Sequence, residues 1–282
     1  WLDKRSVDPN GAMPAKNMMV FKLAGMEPPA KVVYAASAGN WIMRHEPEIW
    51  ARTAKYVMLP TYLNYKLTGN LIDSASNQIG HIPFDYKNRR WMKPGSLTRC
   101  FCDVPNEKLC DLVPSGTVIG TITDEVSALP GIPAGLPLIS TGSAQGCEAL
   151  GLAVGDSDKA SISLGTTATI QFSTTQYVEP QQFLPAYPGV LNDHYNPEIE
   201  IYRGLWLLSW FVKEFGTADA IDAKEMGMAP EALLDARIRD LPAGSDGLLL
   251  QPYWTAGILH PDSLGAVIGV SESEPRYPFF LA

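Results

Sequence analysis

Histidine and cysteine are scarce, with four of each in 282 residues. The histidines, His45, His81, His194 and His260, are scattered and have no paired Ser or Cys motif, so nucleophilic hydrolysis finds no support. Cys100, Cys102 and Cys110 lie near one another, with Cys147 apart. Their spacing does not match a zinc ribbon and no histidine completes a site, which favours reduced thiols over a metal centre. Charge is thin: charged residues make up 18% of the chain, and the net charge is −8. No basic cluster is denser than Lys87 to Arg90, which argues against nucleic acid or an anionic membrane as partner. Long apolar runs are missing too. The longest, Leu205 to Val212, is interrupted by Ser209 and is too short to span a bilayer. With no secretory signal visible, the expected compartment is the cytoplasm. Repeats and low-complexity tracts are absent.

What is present fits a soluble globular enzyme of one large or two ordinary domains, with 46% hydrophobic residues. Helical patterns occupy residues 11–58. Ala15 to Leu23 is a short amphipathic segment stopped by Gly25 and Pro28-Pro29; Val32 to Arg44 is a second; Pro47 suits the first turn of a third. Residues 56–69 mix aromatics and leucines before Gly69. Leu112 to Thr123 is expected to be extended, punctuated by Gly116 and Gly120. Leu138 to Ser140 reads as a strand feeding a turn and helix over Gly142 to Gly151. A proline-rich excursion from Glu179 to Pro197 precedes an apolar helix, Leu205 to Phe215, and two short strands at Gly247–Tyr253 and Leu264–Val270. Strands interleaved with helices indicate an α/β fold.

The stretch Ser161-Ile-Ser-Leu-Gly-Thr-Thr-Ala-Thr-Ile-Gln-Phe172 is the most informative. Ile162 and Leu164 alternate before a Gly-Thr-Thr turn, and Ile170 and Phe172 after it, the period of a half-buried hairpin. Gly165 permits close backbone approach. Two threonine hydroxyls beside free backbone N–H groups suit phosphate oxygens, although most Gly-Thr turns between strands bind nothing.

Five segments occur in a particular order. They are Trp1-Leu-Asp-Lys-Arg5; Tyr65-Lys-Leu-Thr-Gly69 with Asp73-Ser-Ala-Ser; Gly131-Ile-Pro-Ala-Gly-Leu-Pro137; Ser163-Leu-Gly-Thr-Thr167; and Gly247-Leu-Leu-Leu-Gln-Pro-Tyr-Trp254 followed by Gly265-Ala-Val-Ile-Gly269. In this order they resemble the FGGY carbohydrate kinases, the family of glycerol, xylulose and ribulose kinases, over nearly the whole chain to about residue 270. The resemblance implies an actin-like, ribonuclease-H-like pair of α/β domains. Residues 1–156 would be the later part of the sugar-side domain and 157–282 the beginning of the nucleotide-side domain. Trp1 in place of a starting Met, and the aperiodic stretch from Ser273 to Ala282, carry the expectation of a fragment lacking both termini.

The same resemblance implies ATP with Mg²⁺, a ketose or polyol substrate, and phosphoryl transfer to its hydroxyl. A homodimer stays open. Gly165, Thr166 and Thr167 match a phosphate loop, with N–H groups expected to face open space. Trp1 matches a sugar-packing tryptophan, or is a core aromatic; Asp3 and Arg5 meet sugar hydroxyls, or pair with each other on a surface. The family's Asp general base lies seven residues before a glycine that matches Gly151, which places Ala144 there. A methyl group accepts no proton, so impaired turnover, or a non-catalytic binding relative, is expected. Glu148 is the nearest substitute, and otherwise a helix-surface glutamate. His260 falls in a loop the family places near the cleft, or is a solvated loop residue.

Overall fold

The structure is a computed structural model and describes residues 5–128, 131–156, 158–181, 184–255, 257, 262–270 and 277. Trp1, Asp3 and His260 lie outside the described residues. Five helices open the chain: α1 (Ala15–Leu23), α2 (Glu27–Ala36), α3 (Ala38–His45), α4 (Pro47–Arg52) and α5 (Leu59–Thr68). Short strands follow: β1 (Ile72–Ser74), β2 (Phe84–Asp85), β3 (Arg90–Trp91), β4 (Asp111–Val113) and β5 (Val118–Thr121). Then come α6 (Asp124–Ser127), β6 (Pro137–Ile139) and α7 (Ala144–Gly151). The hairpin strands are β7 (Ala160–Leu164) and β8 (Ala168–Phe172), and β9 (Tyr187–Pro188), β10 (Tyr195–Asn196) and β11 (Glu198–Ile201) come after them. The remaining elements are α8 (Trp206–Phe215), α9 (Thr217–Glu225), α10 (Pro230–Ile238), β12 (Leu249–Gln251) and β13 (Ala266–Ile268). β8 lies between β7 and β11 in a three-stranded sheet.

The chain divides into two compact units, the described residues within Trp1–Ser161 and Gln171–Glu198, and those within Ile162–Ile170 and Ile199–Ala282. In the first, β1 and β4 pair in parallel, with Ile72 opposite Asp111, while β5 and β6 pair antiparallel with a bulge between Val118 and Gly120. One core packs Val7, Met13 and Tyr34 against Met18, Trp41 and Phe101. Another gathers Cys102, Val104 and Leu109 with Trp50, Tyr56 and Trp91. Cys102 and Cys110 are therefore buried thiols; burial pushes Cys102 up and Cys110 to about 11. Among the described residues no group of three or more His, Cys, Asp or Glu could hold a metal ion. No described helix is long and apolar enough to cross a membrane.

Helix ends follow local chemistry. Gly69 closes α5 in the left-handed conformation at φ 79°, its N–H donating to the Tyr65 carbonyl at 2.7 Å. Pro47 and Pro230 open α4 and α10, where the missing N–H costs nothing. Two expectations fail here. Pro28 and Pro29 do not stop a helix; they sit in the first turn of α2. The single helix expected over Val32–Arg44 is two, because Ser37 adopts an extended conformation that ends α2 while its hydroxyl accepts from the Asn40 N–H and caps α3.

The second unit packs α8 on α10 through Phe211 and Leu234, joined by Leu208, Trp210 and Tyr277. Trp210 meets Trp254 edge-on at 5.1 Å. Asp219, fully buried, is bound by Arg237, which also reaches Asp222.

The hairpin register is as expected, but its faces are inverted. The apolar residues Ile162, Leu164 and Ile170 are exposed at 64%, 60% and 47%, while Ser161, Thr169 and Gln171 are buried. Polar pairing explains part of this: Gln171 accepts from Asn196 Nδ2 at 3.1 Å and donates to the Gln145 carbonyl.

Candidate functional site

Two turns carry the residues that sequence reasoning singled out, one in each unit. The first leads from β6 into α7. Ser143 is the N-cap, its hydroxyl accepting from the Gly146 N–H at 3.0 Å, so Ala144 is the first helical residue. Its methyl is exposed and bonds to nothing. Glu148 lies one turn further on, also exposed. The turn is held from two sides: the Ser143 N–H donates to the Ser76 carbonyl at 3.0 Å, and the Gln145 carbonyl accepts from Gln171. Gly142 has no room for a side chain, since a Cβ there would stand 2.7 Å from Val190 and 3.2 Å from Ser76.

Behind Ser76 lies a buried carboxylate. Asp73, 2% exposed, accepts from the Thr61 hydroxyl at 2.6 Å, from its neighbour's Ser74 N–H at 2.8 Å, and from Asn77 and Gln78 at 3.2 Å. It ties α5 to β1 and the turn after it, which is a structural role for the Asp73-Ser-Ala-Ser segment.

The second turn is Gly165–Thr167, between β7 and β8. The Gly165 N–H donates to the Thr167 carbonyl at 3.0 Å, so this donor is turned into the loop and not toward open space, contrary to expectation. Neither the Thr166 nor the Thr167 N–H has a hydrogen-bond partner among the described residues, and Thr166 is half-buried while Thr167 is 7% exposed. The carbonyls point the other way: Thr166 accepts from the Gly204 N–H and Gly165 from the Leu205 N–H, both at 2.9 Å. A Cβ on Gly204 would lie 2.6 Å from the Gly165 oxygen and 2.7 Å from the Ala168 nitrogen. Gly204 thus shapes this turn from below, a contact that sequence reasoning missed; the signal was a glycine directly after Tyr202-Arg203 and before the apolar helix. Close by, Arg203 Nε donates to the Thr255 hydroxyl at 2.9 Å, and burial raises the pKa of Glu200 above the usual carboxylate range.

Of the sugar-side residues, Arg5 is described: its guanidinium stands 4.3 Å over the Trp41 ring, which stacks on His45. Backbone donors without partners on a tight turn suit anionic oxygens.

Compared with known proteins, residues 1–151 match the sequence model of the N-terminal domain of the FGGY family of carbohydrate kinases. The chain belongs to this family. Among FGGY relatives, the sugar kinase YgcE of Escherichia coli (strain K12) is 30% identical over 213 residues, 75% of this chain and 43% of that protein. The xylulose kinase of Lactococcus lactis is 26% identical over 249 residues, 85% of this chain and 46% of that protein. The chain spans about half the length of the curated relatives it matches. The crystal structure of ligand-bound xylulose kinase from Lactobacillus acidophilus superposes with a TM-score of 0.71 at 20% identity, covering 94% of this chain and 54% of that one. The fold is accordingly the actin-like α/β fold of FGGY sugar kinases.

Proposed function

We propose that this chain is part of an ATP-dependent kinase that phosphorylates a hydroxyl of a ketose or polyol, with turnover impaired at the proton-accepting position. The observation that carries the reading is the Gly165–Thr167 turn of an FGGY chain, with unpartnered Thr166 and Thr167 N–H groups and with carbonyls committed to Gly204 and Leu205. Residues up to about 156 would serve the sugar and the later ones the nucleotide.

Phosphoryl transfer depends on positioning and on neutralising charge. Thr166 and Thr167 would orient phosphate oxygens through backbone N–H groups already free to donate, so little reorganisation accompanies binding. Mg²⁺ arriving with the nucleotide supplies charge neutralisation at the phosphates. Trp1, Asp3 and Arg5 would hold the sugar, Trp1 against its C–H face and the charged pair at its hydroxyls.

The proton is the weak point. A sugar hydroxyl is a poor nucleophile until a base accepts its hydrogen, and Ala144 offers none. Glu148 is four residues on, about 6 Å along the helix axis, against a base's reach of roughly 3 Å. This favours a second reading, a relative that binds sugar or nucleotide without turnover. Calorimetry with a polyol panel and ATP, beside an assay of sugar-dependent ADP release, separates the two. Binding together with slow release that rises on Ala144→Asp supports the impaired kinase. Binding with no release from either protein supports the non-catalytic relative. Unimpaired release with Ala144 in place overturns the assigned base position.

A further inference from the structure

We infer that the first unit carries a binding site for a small hydroxy-carboxylate, distinct from the turns assigned above, with Arg89 as its anion-binding group. A cavity of about 310 Å³ is lined by Ser76, Arg89, Val113, Pro114, Asn192 and Asp193, among others. It opens where β1 and β4 end: Ala75 and Ser76 directly follow β1, and Val113 and Pro114 close β4. The carboxyl ends of parallel strands are where α/β sheets bind ligands, because the chain turns away there and leaves a crevice floored by backbone.

Arg89 is prepared for a partner that the protein does not provide. It ends the turn between the paired residues Asp85 and Arg90, and its φ of 53° is the geometry such a hairpin loop takes at that position. The guanidinium is pinned by two contacts: it stands 4.3 Å over the Tyr195 ring, and its Nη2 donates to the His194 carbonyl at 3.1 Å. Its Nη1 makes no hydrogen bond, its Nε is buried without a partner, and the group has no ion pair among the described residues. A fixed cation without a counter-ion at the wall of a cavity is an anion site.

The rest of the lining sets the class of anion. Asp193 is exposed and has no hydrogen-bond partner among the described residues, and Asn192 spends its Nδ2 on the Ser115 carbonyl at 3.1 Å, leaving its oxygen as an acceptor. The one lining carboxylate, Asp193, disfavours a dianion such as phosphate, and these acceptors call for ligand hydroxyls. Leu112, Val113 and Pro114 supply an apolar wall for C–H faces. One carboxylate on a short hydroxylated chain meets all three demands. None of these residues belongs to the phosphate turn or to the sugar-side positions, so the inference stands apart from the phosphoryl-transfer reading.

The test is isothermal titration of the chain with D-gluconate, the neutral polyol xylitol and inorganic phosphate, with folding of each variant checked by circular dichroism. Saturable gluconate binding should weaken about ten- to a hundred-fold in Arg89→Gln, the range for a hydrogen bond to a charged group. Asn192→Trp, at an exposed position, should abolish it by filling the cavity mouth without touching Arg89, whereas Thr166→Val should leave it unchanged. If Arg89→Gln fails to fold, Asn192→Trp alone decides. Gluconate binding that survives Asn192→Trp, xylitol binding that Arg89→Gln and Asn192→Trp weaken to the same extent, binding of phosphate alone, or no saturable binding would each overturn the inference.

Discussion

Replacing Gly204 by alanine tests whether the Gly165–Thr167 turn is held in shape from below. The added methyl would stand 2.6 Å from the Gly165 oxygen, 2.6 Å from the Thr167 carbonyl carbon and 2.7 Å from the Ala168 nitrogen. All three are backbone atoms, so no side chain can swing aside. Separation to an ordinary contact near 3.4 Å needs a shift of about 0.8 Å. That shift stretches the Gly204-to-Thr166 and Leu205-to-Gly165 hydrogen bonds from 2.9 Å beyond useful length. Two lost bonds at about 1 kcal/mol each, with overpacking strain of about 1 to 3 kcal/mol partly relieved by the movement, give roughly 2 to 4 kcal/mol. Native-state hydrogen exchange reads this locally: the Gly204 and Leu205 amides should lose protection by about thirty-fold to nearly a thousand-fold. Gly155→Ala, where a Cβ meets nothing within 4 Å, is the control and should stay within about 0.5 kcal/mol of the parent. ATP affinity should fall with protection in the Gly204 variant. Unchanged exchange at 204 and 205 would show that the turn does not depend on this contact.

Other outcomes follow from the same geometry. With flanking segments supplied from a relative, Ala144→Asp should raise sugar-dependent ADP release by about 10² to 10⁴-fold, the usual contribution of a general base; an unchanged rate would mean the base lies elsewhere. Asp73→Asn places an amide among donors that need an acceptor, and should lower stability by about 2 to 4 kcal/mol in urea titration; a loss under 0.5 kcal/mol refutes the network's role. Burial holds the folded-state pKa of His81 below the ordinary 6.5, so the folded state resists protonation and stability should fall as pH drops from 7 through the range beneath 6.5. His81→Gln should remove that acid-side decline, measured as unfolding midpoints against pH, and an identical decline in both proteins would contradict it.

Local signals with a single cause were readable from the chain. Gly69 as a helix stop, Pro47 as a helix start and the strand–turn–strand period around Gly165 all depend on the residue itself. The family order of motifs was legible for the same reason, each being a contiguous stretch of sequence. What failed depended on side-chain partners that periodicity does not register. Ser37 breaks a continuous apolar pattern because its hydroxyl has an Asn40 N–H to accept from, a choice that periodicity does not register. The faces of the hairpin were misread because hydrophobicity was taken to decide burial, while Gln171 is drawn inward by Asn196, 25 residues away, and by the Gln145 carbonyl. Gly204 was invisible as a site residue since its importance is the absence of a side chain against a turn 37 to 39 positions earlier. Arg89 gave no signal at all; its conformation and its company appear only in three dimensions.

Ala144 has a consequence for how this sequence could have arisen. It occupies the opening position of α7, behind a cap already satisfied by Ser143, and is exposed. An acidic residue there would gain from the positive end of the helix, by about 0.3 to 1 kcal/mol. Selection for a sturdier fold would therefore push this position toward an acid. Drift at 144 meets no steric obstacle and one substitution reverses it, whereas Gly142 and Gly204 admit no other residue without moving backbone or packed side chains. On the proposed reading of 144 as the base position, an alanine that was favoured and not merely tolerated gained by chemistry withheld, not by architecture.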